Sequence, residues 1–283
     1  MLIFRLLRSR SATLSAGKSS FSTYEFPVTS LAPQTLSVGQ GTDRRDIGVL
    51  QRPGNTPGLF WLNGFRSVMT GLKATALDAL GAEKGLAVTR FDHSGLGASG
   101  GNFDDGTVSR WLEEAIAVFD QTSGKQIVVG SSMGGWLALL LARHLLATGQ
   151  KRLQGIVLIA PAVDATHDLI PARLTPEQRV TLEKTGHIDR DSAYGDGPYR
   201  YTRKLLDDGA KHLLFGRVIE TGCPVHIIQG GRDPDVPPAH AQKLLTHILH
   251  DPVTYTLIPD GDHRLSREED LERLRAAVMG MVA

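Results

Sequence analysis

The sequence predicts an α/β fold: a mostly parallel, doubly wound sheet with helices on both faces and a helical cap inserted after its middle strands. Short apolar runs alternate with segments whose apolar residues recur at helical spacing, from Gly58 to Pro161 and again from Val225 to Val278. Gly58–Leu62 and Ile127-Val128-Val129 read as buried strands. Residues 164–222 break the rhythm; they are charged and rich in Arg and Tyr, which suits an insertion over the strand ends better than a second domain.

Residues 1–24 contain Arg5, Arg8, Arg10 and Lys18, many Ser and Thr, and no acidic residue before Glu25. The arginines interrupt the apolar core that a secretory signal needs. An Arg-rich, Ser-rich, acid-free leader matches an organellar transit peptide, with a disordered tail carrying no address as the alternative. The folded domain is then expected over residues 25–283. Leu36–Val38 and Ile47–Leu50 read as short strands, Pro53-Gly54-Asn55 as a turn, and the strand Gly58–Leu62 ends in Asn63-Gly64-Phe65. Leu72, Ala76, Leu77 and Leu80 give a helix within Thr70–Leu80, and Leu86–Phe91 is the next strand. After the loop Asp92–Gly101, a helix presents Val108, Trp111, Leu112, Ala115, Val118 and Phe119 on one face.

Ile127–Val129 runs into Gly130-Ser131-Ser132-Met133-Gly134-Gly135-Trp136, and a helix apolar nearly all round continues to about Ala147. Ile156–Ala160 is a strand ended by Pro161. Within the cap, Leu205, Leu206, Leu213, Leu214 and Phe215 show helical patterning. Regular order resumes with a strand at Val225–Gln229, a helix from Ala239, a strand at Val253–Ile258 and a helix from Ser266. Leu271, Leu274, Ala277 and Val278 give that last helix its inner face.

Composition narrows the function. The chain has 283 residues, 41% hydrophobic and 22% charged, as one globular domain with a sizeable core would. Net charge is +1, and loss of the leader's four cations takes it to −3, so no basic field points to nucleic acid. Cys223 is the sole cysteine, which excludes an intramolecular disulfide and any multi-Cys metal site; it reads as a small core hydrophobe. No apolar run reaches membrane-spanning length. Zinc spacings, a P-loop and a dinucleotide motif are missing, and Gly95-x-Gly97 lacks the third glycine and reads as a turn. No metal or cofactor is expected.

The chemistry centres on Gly130-x-Ser132-x-Gly134. Alone, that pattern is an ordinary Ser/Gly turn. A strand directly before it and a helix directly after it make it a nucleophile corner, where small neighbours lift Ser132 clear of the sheet. Ser131, at the variable position, reads as packing. The Met133 N–H at the helix start is then available to a developing oxyanion. A hydroxyl needs a base, and the base an orienting acid. In this architecture their order is Ser, acid, His, each after a strand. Gln229-Gly230-Gly231-Arg232-Asp233 puts Asp233 in the acid's place, with Asp235 as the alternative. Gly261-Asp262-His263 puts His263 in the base's place, and Asp262 is expected to brace its turn. His93 and His240 are the other candidates for the base, though neither follows the last strand. Asn63-Gly64-Phe65 offers a second oxyanion donor, the Phe65 N–H, or else an ordinary turn.

Over essentially everything after the leader, these features resemble the α/β-hydrolase superfamily. More narrowly, Gly130–Trp136, Arg90-Phe91-Asp92-His93-Ser94-Gly95-Leu96-Gly97-Ala98-Ser99 and Asp262-His263-Arg264 are similar to the mitochondrial palmitoyl-protein thioesterases of the α/β-hydrolase domain-containing protein 10 group. The resemblance implies an α/β-hydrolase fold and cleavage of S-palmitoyl groups from proteins and of acyl glucuronides. It also implies a mitochondrial location, with the matrix the expected compartment. It carries the nucleophile to Ser132, the acid to Asp233 and the base to His263. Asn63 departs from the superfamily's common His-Gly pair, which bears on the oxyanion loop.

The reading is a serine hydrolase acting on an acylated protein or small-molecule ester, with no nucleic-acid partner and no membrane span. A small-molecule carboxylesterase is the alternative within enzymes. An inactive hydrolase fold used as a binding module is the alternative outside them, and an intact Ser132, Asp233 and His263 argues against it. Leu169, Ile170, Leu205, Leu206, Leu213, Leu214 and Phe215 are expected either to line an acyl slot under the cap or to pack on the sheet.

Overall fold

The computed structural model describes residues 32–191 and 197–282, so the leader lies outside the described residues. β1 (Gln34–Val38) and β2 (Arg45–Arg52) open the fold, followed by β3 (Asn55–Leu62), α1 (Leu72–Lys84), β4 (Leu86–Phe91), α2 (Val108–Asp120), β5 (Gln126–Ser131), α3 (Met133–Ala147) and β6 (Leu153–Ile159). An insertion carries α4 (Ala165–Asp168), α5 (Pro176–Thr185), β7 (His187–Arg190), β8 (Tyr199–Thr202) and α6 (Arg203–Gly209). The chain closes through β9 (Val225–Gly230), α7 (Pro238–Leu245), β10 (Val253–Ile258) and α8 (Glu268–Val282).

One sheet runs in the order β1-β2-β4-β3-β5-β6-β9-β10. β1 and β2 pair antiparallel, as do β2 and β4, and every pair from β4 onward is parallel. Parallel neighbours need crossovers, and the intervening helices supply them. The chain winds from β3 outward to β4 and then crosses back to β5. The carboxyl ends of β3 and β5 therefore flank the reversal, the place where such sheets form their binding crevice.

Strand residues alternate between two apolar layers. Leu59, Trp61, Ile127 and Val129 face α1 and α8, while Phe60, Leu62 and Val128 face α2 and α3. α3 buries 11 of its 15 residues, which accounts for its apolar character all round; each fully buried Leu contributes about 1.5–3 kcal/mol. α2 starts on the Thr107 hydroxyl, which accepts from the Arg110 N–H at 3.1 Å, and buries the apolar face read from its spacing.

Two helices differ from the sequence reading. Leu72 does not join the inner face of α1: it is the first helical residue and stands 64% exposed, and the buried stripe begins at Ala74 and continues through Leu77 and Leu80. α2 also buries a charge that an apolar pattern does not reveal. The Glu114 carboxylate accepts from Arg45 Nε at 2.7 Å and the Ser94 N–H at 3.1 Å, and bonds His93 Nδ1 at 3.0 Å. Burial alone would raise its pKa, but the bonds from His93, Ser94 and Arg45 hold it below the usual glutamate value.

The insertion is not all helix. β7 and β8 pair antiparallel, with Asp189 opposite Arg200 and a two-pronged ion pair between them, both contacts 2.8 Å. Tyr199-Arg200-Tyr201-Thr202 alternates ring and polar side chains, the period of a strand and not of a helix.

Candidate active site

The corner after β5 is built by close backbone approach. Ser132 adopts φ 55°, ψ −117°, a conformation rarely held by a side-chain-bearing residue and one that stores strain. Its own backbone is pinned on both sides: its N–H donates to Ile159 O at 2.8 Å, and its carbonyl accepts from Gly135 and Ala162 at 2.9 and 3.0 Å. A Cβ on Gly130 would sit 2.2 Å from Gly134 O, and one on Gly134 would sit 2.2 Å from Leu62 O. Glycine is required at both positions because backbone, which cannot swing aside, occupies the space.

His263 follows β10 and reaches Ser132 directly, with Nε2 3.0 Å from Ser132 Oγ. Its Nδ1 lies 2.8 Å from Asp233 Oδ2. The carboxylate accepts at Oδ2, which assigns the proton to Nδ1 and leaves Nε2 as the acceptor facing the hydroxyl. Asp233 is 4% exposed, and its second oxygen accepts the N–H groups of Asp235 and Val236, both at 2.8 Å. Gln229 Nε2 donates to Asp233 Oδ2 at 3.3 Å. Two donors from the segment after β9 and one side chain from β9 itself thus fix the acid that in turn fixes the imidazole.

The two glycines before Asp233 let this turn lie against the histidine turn. A Cβ on Gly230 would stand 2.4 Å from Asp262 O. Asp262 Oδ1 accepts the Leu265 N–H at 3.0 Å, so it braces the histidine turn as expected of it. From α1, Lys73 Nζ donates to Arg264 O and, at 3.3 Å, to Ser266 Oγ. Burial, with the neighbouring Arg264 charge, lowers the Lys73 pKa to about 8.

The competing candidates lie elsewhere or serve other groups. Asp235 accepts from Arg173 Nη1 at 3.2 Å and does not bond His263 through its carboxylate in the way Asp233 does. His93 is fully buried against Glu114, and His240 Nε2 is 2.8 Å from Val163 O. Ser131 is buried, as expected of a packing residue. Asn63 is also buried; it accepts from Trp61 Nε1 at 2.7 Å and donates to Phe91 O at 2.5 Å. Asp233, Asp235 and His263 offer ligand atoms within 4.8 Å of one another, the spacing a cation would need. Both Asp233 oxygens and His263 Nδ1 are already engaged in the bonds just described.

A cavity of about 250 Å³ opens at Ser132 and runs beneath the insertion. Its apolar wall includes Val108, Trp111, Met133 and Trp136 from the core with Leu169 and Leu205 from the insertion. Arg66, Lys73, Arg173 and Arg264 also line it. Of the seven residues expected at an acyl slot, Leu169, Ile170 and Leu205 line this cavity and Leu206, Leu213, Leu214 and Phe215 do not. Leu214 is buried in the core layer of α2 and α3, where its N–H and that of Phe215 are held by the Asp164 carboxylate. Phe215 packs edge-on to His240 at 5.3 Å and lies under Lys243 Nζ at 4.1 Å. The aromatic contributors Trp111, Tyr199 and Tyr201 carry no sequence signal for the cavity; the helical spacing of Trp111 marks it only as core.

Phe65 and Met133 both line the cavity beside Ser132, and neither N–H has a hydrogen-bond partner among the described residues. A Cβ placed on Gly64 would be 3.4 Å from Ser132 Cβ, so this loop packs on the corner itself. The arrangement can deprotonate a hydroxyl, hold an acyl group against the apolar wall of the slot and offer two backbone donors to an oxyanion.

Comparison with known proteins agrees in fold and extent. Residues 54–277 match the model of the alpha/beta hydrolase family. A solved putative hydrolase from Agrobacterium vitis S4 is 49% identical, superposes with a TM-score of 0.86, and covers 89% of this chain and 98% of its own. Palmitoyl-protein thioesterase ABHD10, mitochondrial, from Mus musculus is 31% identical over 250 residues, 88% of this chain and 82% of the mouse protein. The solved mouse alpha/beta hydrolase domain-containing protein 10 is 28% identical with a TM-score of 0.77, over 88% of this chain and 98% of that one.

Proposed function

Because this chain belongs to the alpha/beta hydrolase family, we propose that it is a serine hydrolase cleaving acyl thioesters or esters through an acyl-Ser132 intermediate. The observation that carries the reading is the continuous relay from Asp233 through His263 to Ser132 at the mouth of an apolar slot. His263 Nε2 takes the hydroxyl proton as Ser132 Oγ adds to the acyl carbon. Asp233 stabilises the imidazolium so formed, and the Phe65 and Met133 N–H groups receive the oxyanion. Collapse of the tetrahedral adduct expels a thiolate or alkoxide, which leaves with the proton from His263. Water then enters and gives a proton to the same nitrogen as its oxygen adds to the acyl carbon; collapse of that adduct breaks the bond to Ser132 Oγ, which takes the proton back from His263 as the carboxylic acid is released.

The substrate class proposed is an S-acylated protein, in keeping with the mouse relative's name and the apolar slot, with the acyl glucuronides implied by the sequence resemblance as a second class. A small-ester carboxylesterase is the second reading, and the modest cavity of about 250 Å³ is what favours it. The relative is named mitochondrial; together with the Arg-rich leader this supports import into mitochondria, in the matrix, with removal of a segment ending near residue 24. Sequencing the N-terminus of the protein recovered from mitochondria tests that part, and an intact Met1 chain in the cytosol would overturn it. For the activity, a fluorophosphonate should label the wild-type chain at Ser132 and spare Ser132→Ala. Thioester hydrolysis by Ser132→Ala should fall about 10⁴-fold or more. Near-wild-type turnover by that variant would sink the assignment.

A further inference from the structure

The loop carrying the Phe65 N–H is fixed to the sheet at its two ends. Asn63 Nδ2 bonds Phe91 O at 2.5 Å at one end. At the other, the Met69 N–H donates to Asp92 Oδ1 at 2.6 Å and Arg90 Nη1 to Met69 O at 2.8 Å. Between these anchors the described backbone bonds are local, from the Ser67 N–H to Gly64 O at 3.1 Å and from the Gly71 N–H to Val68 O at 3.0 Å. What holds the middle is side-chain packing. The Phe65 ring stacks on Tyr201 at 5.1 Å and 15°, and meets Phe103, Tyr199 and Trp111 edge-on at 5.0, 5.9 and 6.0 Å.

Arg66, the next residue, is held in a left-handed conformation at φ 57°. Its guanidinium lies over Phe103 and Tyr199 at 5.6 and 5.9 Å and donates to Pro198 O at 3.0 Å. Pro198, Tyr199 and Tyr201 all belong to the insertion, in or just before β8. The insertion therefore packs on two consecutive residues of the loop, and shares that role with Phe103 and Trp111 from outside the insertion and with the contact of Gly64 on the Ser132 corner. Stacked and edge-on rings have defined geometry, so they set orientation as well as position.

Resting on the serine-hydrolase reading, we infer that β8 is part of the oxyanion machinery: Tyr201 is a positioning residue that, through the Phe65 ring, sets where the Phe65 N–H points. It follows that the cap governs the rate of acyl transfer as well as the fit of the acyl chain. A tyrosine that merely walled the slot would matter to long acyl groups and be indifferent to an acetyl group. A positioning tyrosine matters to both, because every acyl group develops the same oxyanion.

The test compares wild type, Tyr201→Ala, Tyr201→Leu and Tyr201→Phe on an acetyl thioester, too short to reach the cap. Tyr201→Ala and Tyr201→Leu should lose about 10–100-fold in kcat with KM nearly unchanged, less than the 10²–10³-fold typical of deleting an oxyanion donor outright. Tyr201→Phe keeps the stacked ring and should restore the rate. Affinity for a methyl trifluoromethyl ketone, whose adduct with Ser132 places an oxyanion in the same site, should fall in parallel with kcat/KM. Circular dichroism and melting separate loss of fold from loss of rate, and Tyr201→Leu keeps apolar bulk should Tyr201→Ala fail to fold. Full acetyl-thioester turnover and ketone affinity in folded Tyr201→Ala or Tyr201→Leu, with only long-chain turnover reduced, would overturn the inference and leave Tyr201 as slot wall. A wild-type chain that neither hydrolyses acyl substrates nor takes the fluorophosphonate would instead overturn the hydrolase reading beneath it.

Discussion

Acyl-chain length should raise the specificity constant and then stop doing so at a length set by the slot. An apolar cavity of about 150 Å³ accommodates benzene, or about 25 Å³ per carbon, so a slot of about 250 Å³ takes about ten carbons. Each methylene moved out of water gains up to about 0.8 kcal/mol, roughly fourfold in kcat/KM. Freezing each new bond offsets part of that gain, so about two- to threefold per methylene is the working expectation. From butanoyl to decanoyl the specificity constant should then climb about 10²–10³-fold and level off. The assay is thiol release from a matched thioester series, acetyl to palmitoyl, below the micelle threshold. Ala165, half-buried on the slot wall, offers the complementary perturbation: Ala165→Phe should pull the plateau down by about six carbons' worth of volume. A flat or falling wild-type profile would reject the thioesterase reading and leave a small-ester hydrolase. A profile that keeps climbing to palmitoyl would refute the volume reasoning, since the tail would then be buried somewhere the slot does not provide.

Asp233→Asn should cost several thousand-fold or more in kcat, on the order of 10⁴, because the amide cannot hold the same imidazole tautomer, whereas Asp235→Asn should be mild; steady-state kinetics rank the two, and the reverse order moves the acid to Asp235. Cys223 is 6% exposed and burial pushes its thiol up to about 11, so at pH 8 only about one molecule in a thousand carries thiolate; iodoacetamide should modify it in denaturant and leave the native chain unlabelled. Glu114→Gln removes the buried one of three carboxylates paired with Arg45, leaving Glu113 and Asp43, and should lower unfolding stability by about 1.5–3 kcal/mol in urea titrations. Since the Glu114 pKa is lowered on folding, its contribution is present above the unfolded glutamate pKa of about 4.3 and lost as the pH falls through the lower folded value; the gap between wild type and Glu114→Gln should therefore narrow only in acid.

Much of this geometry was legible in the sequence because it depends on local rules. The nucleophile corner needs a strand, a helix and glycines at fixed offsets, and the backbone contacts at Gly130 and Gly134 are the physical reason for those offsets. The spacing that pointed to Asp233 and His263 follows from parallel strand order, which sends every strand's following loop to the same sheet edge. Choosing Asp233 over Asp235 needed more. What separates them in the structure is that Asp233 is buried under two backbone donors, while Asp235 is drawn away by Arg173 of the insertion. Half of that distinction is made by Arg173, 62 positions upstream of Asp235.

The insertion was hardest to read for the same reason. Its apolar residues serve two surfaces at once, and spacing cannot tell Leu205, which walls the slot while joining the layer of α2 and α3, from Leu214, which seals that layer away from the slot. Hydropathy ranks both alike. What decides is the Asp164 carboxylate, which holds the Leu214 and Phe215 N–H groups and turns that stretch toward the sheet, leaving α6 to face Ser132. Tyr201 shows the limit most clearly. In sequence it sits in a charged, Arg-rich stretch that looks solvated, yet its ring is packed against a loop that begins at the end of β3, more than a hundred residues earlier. A buried aromatic contact between distant segments leaves no periodic trace in either one. A cap of this kind can therefore change its sequence substantially and still serve the same corner, provided that a ring is kept against Phe65.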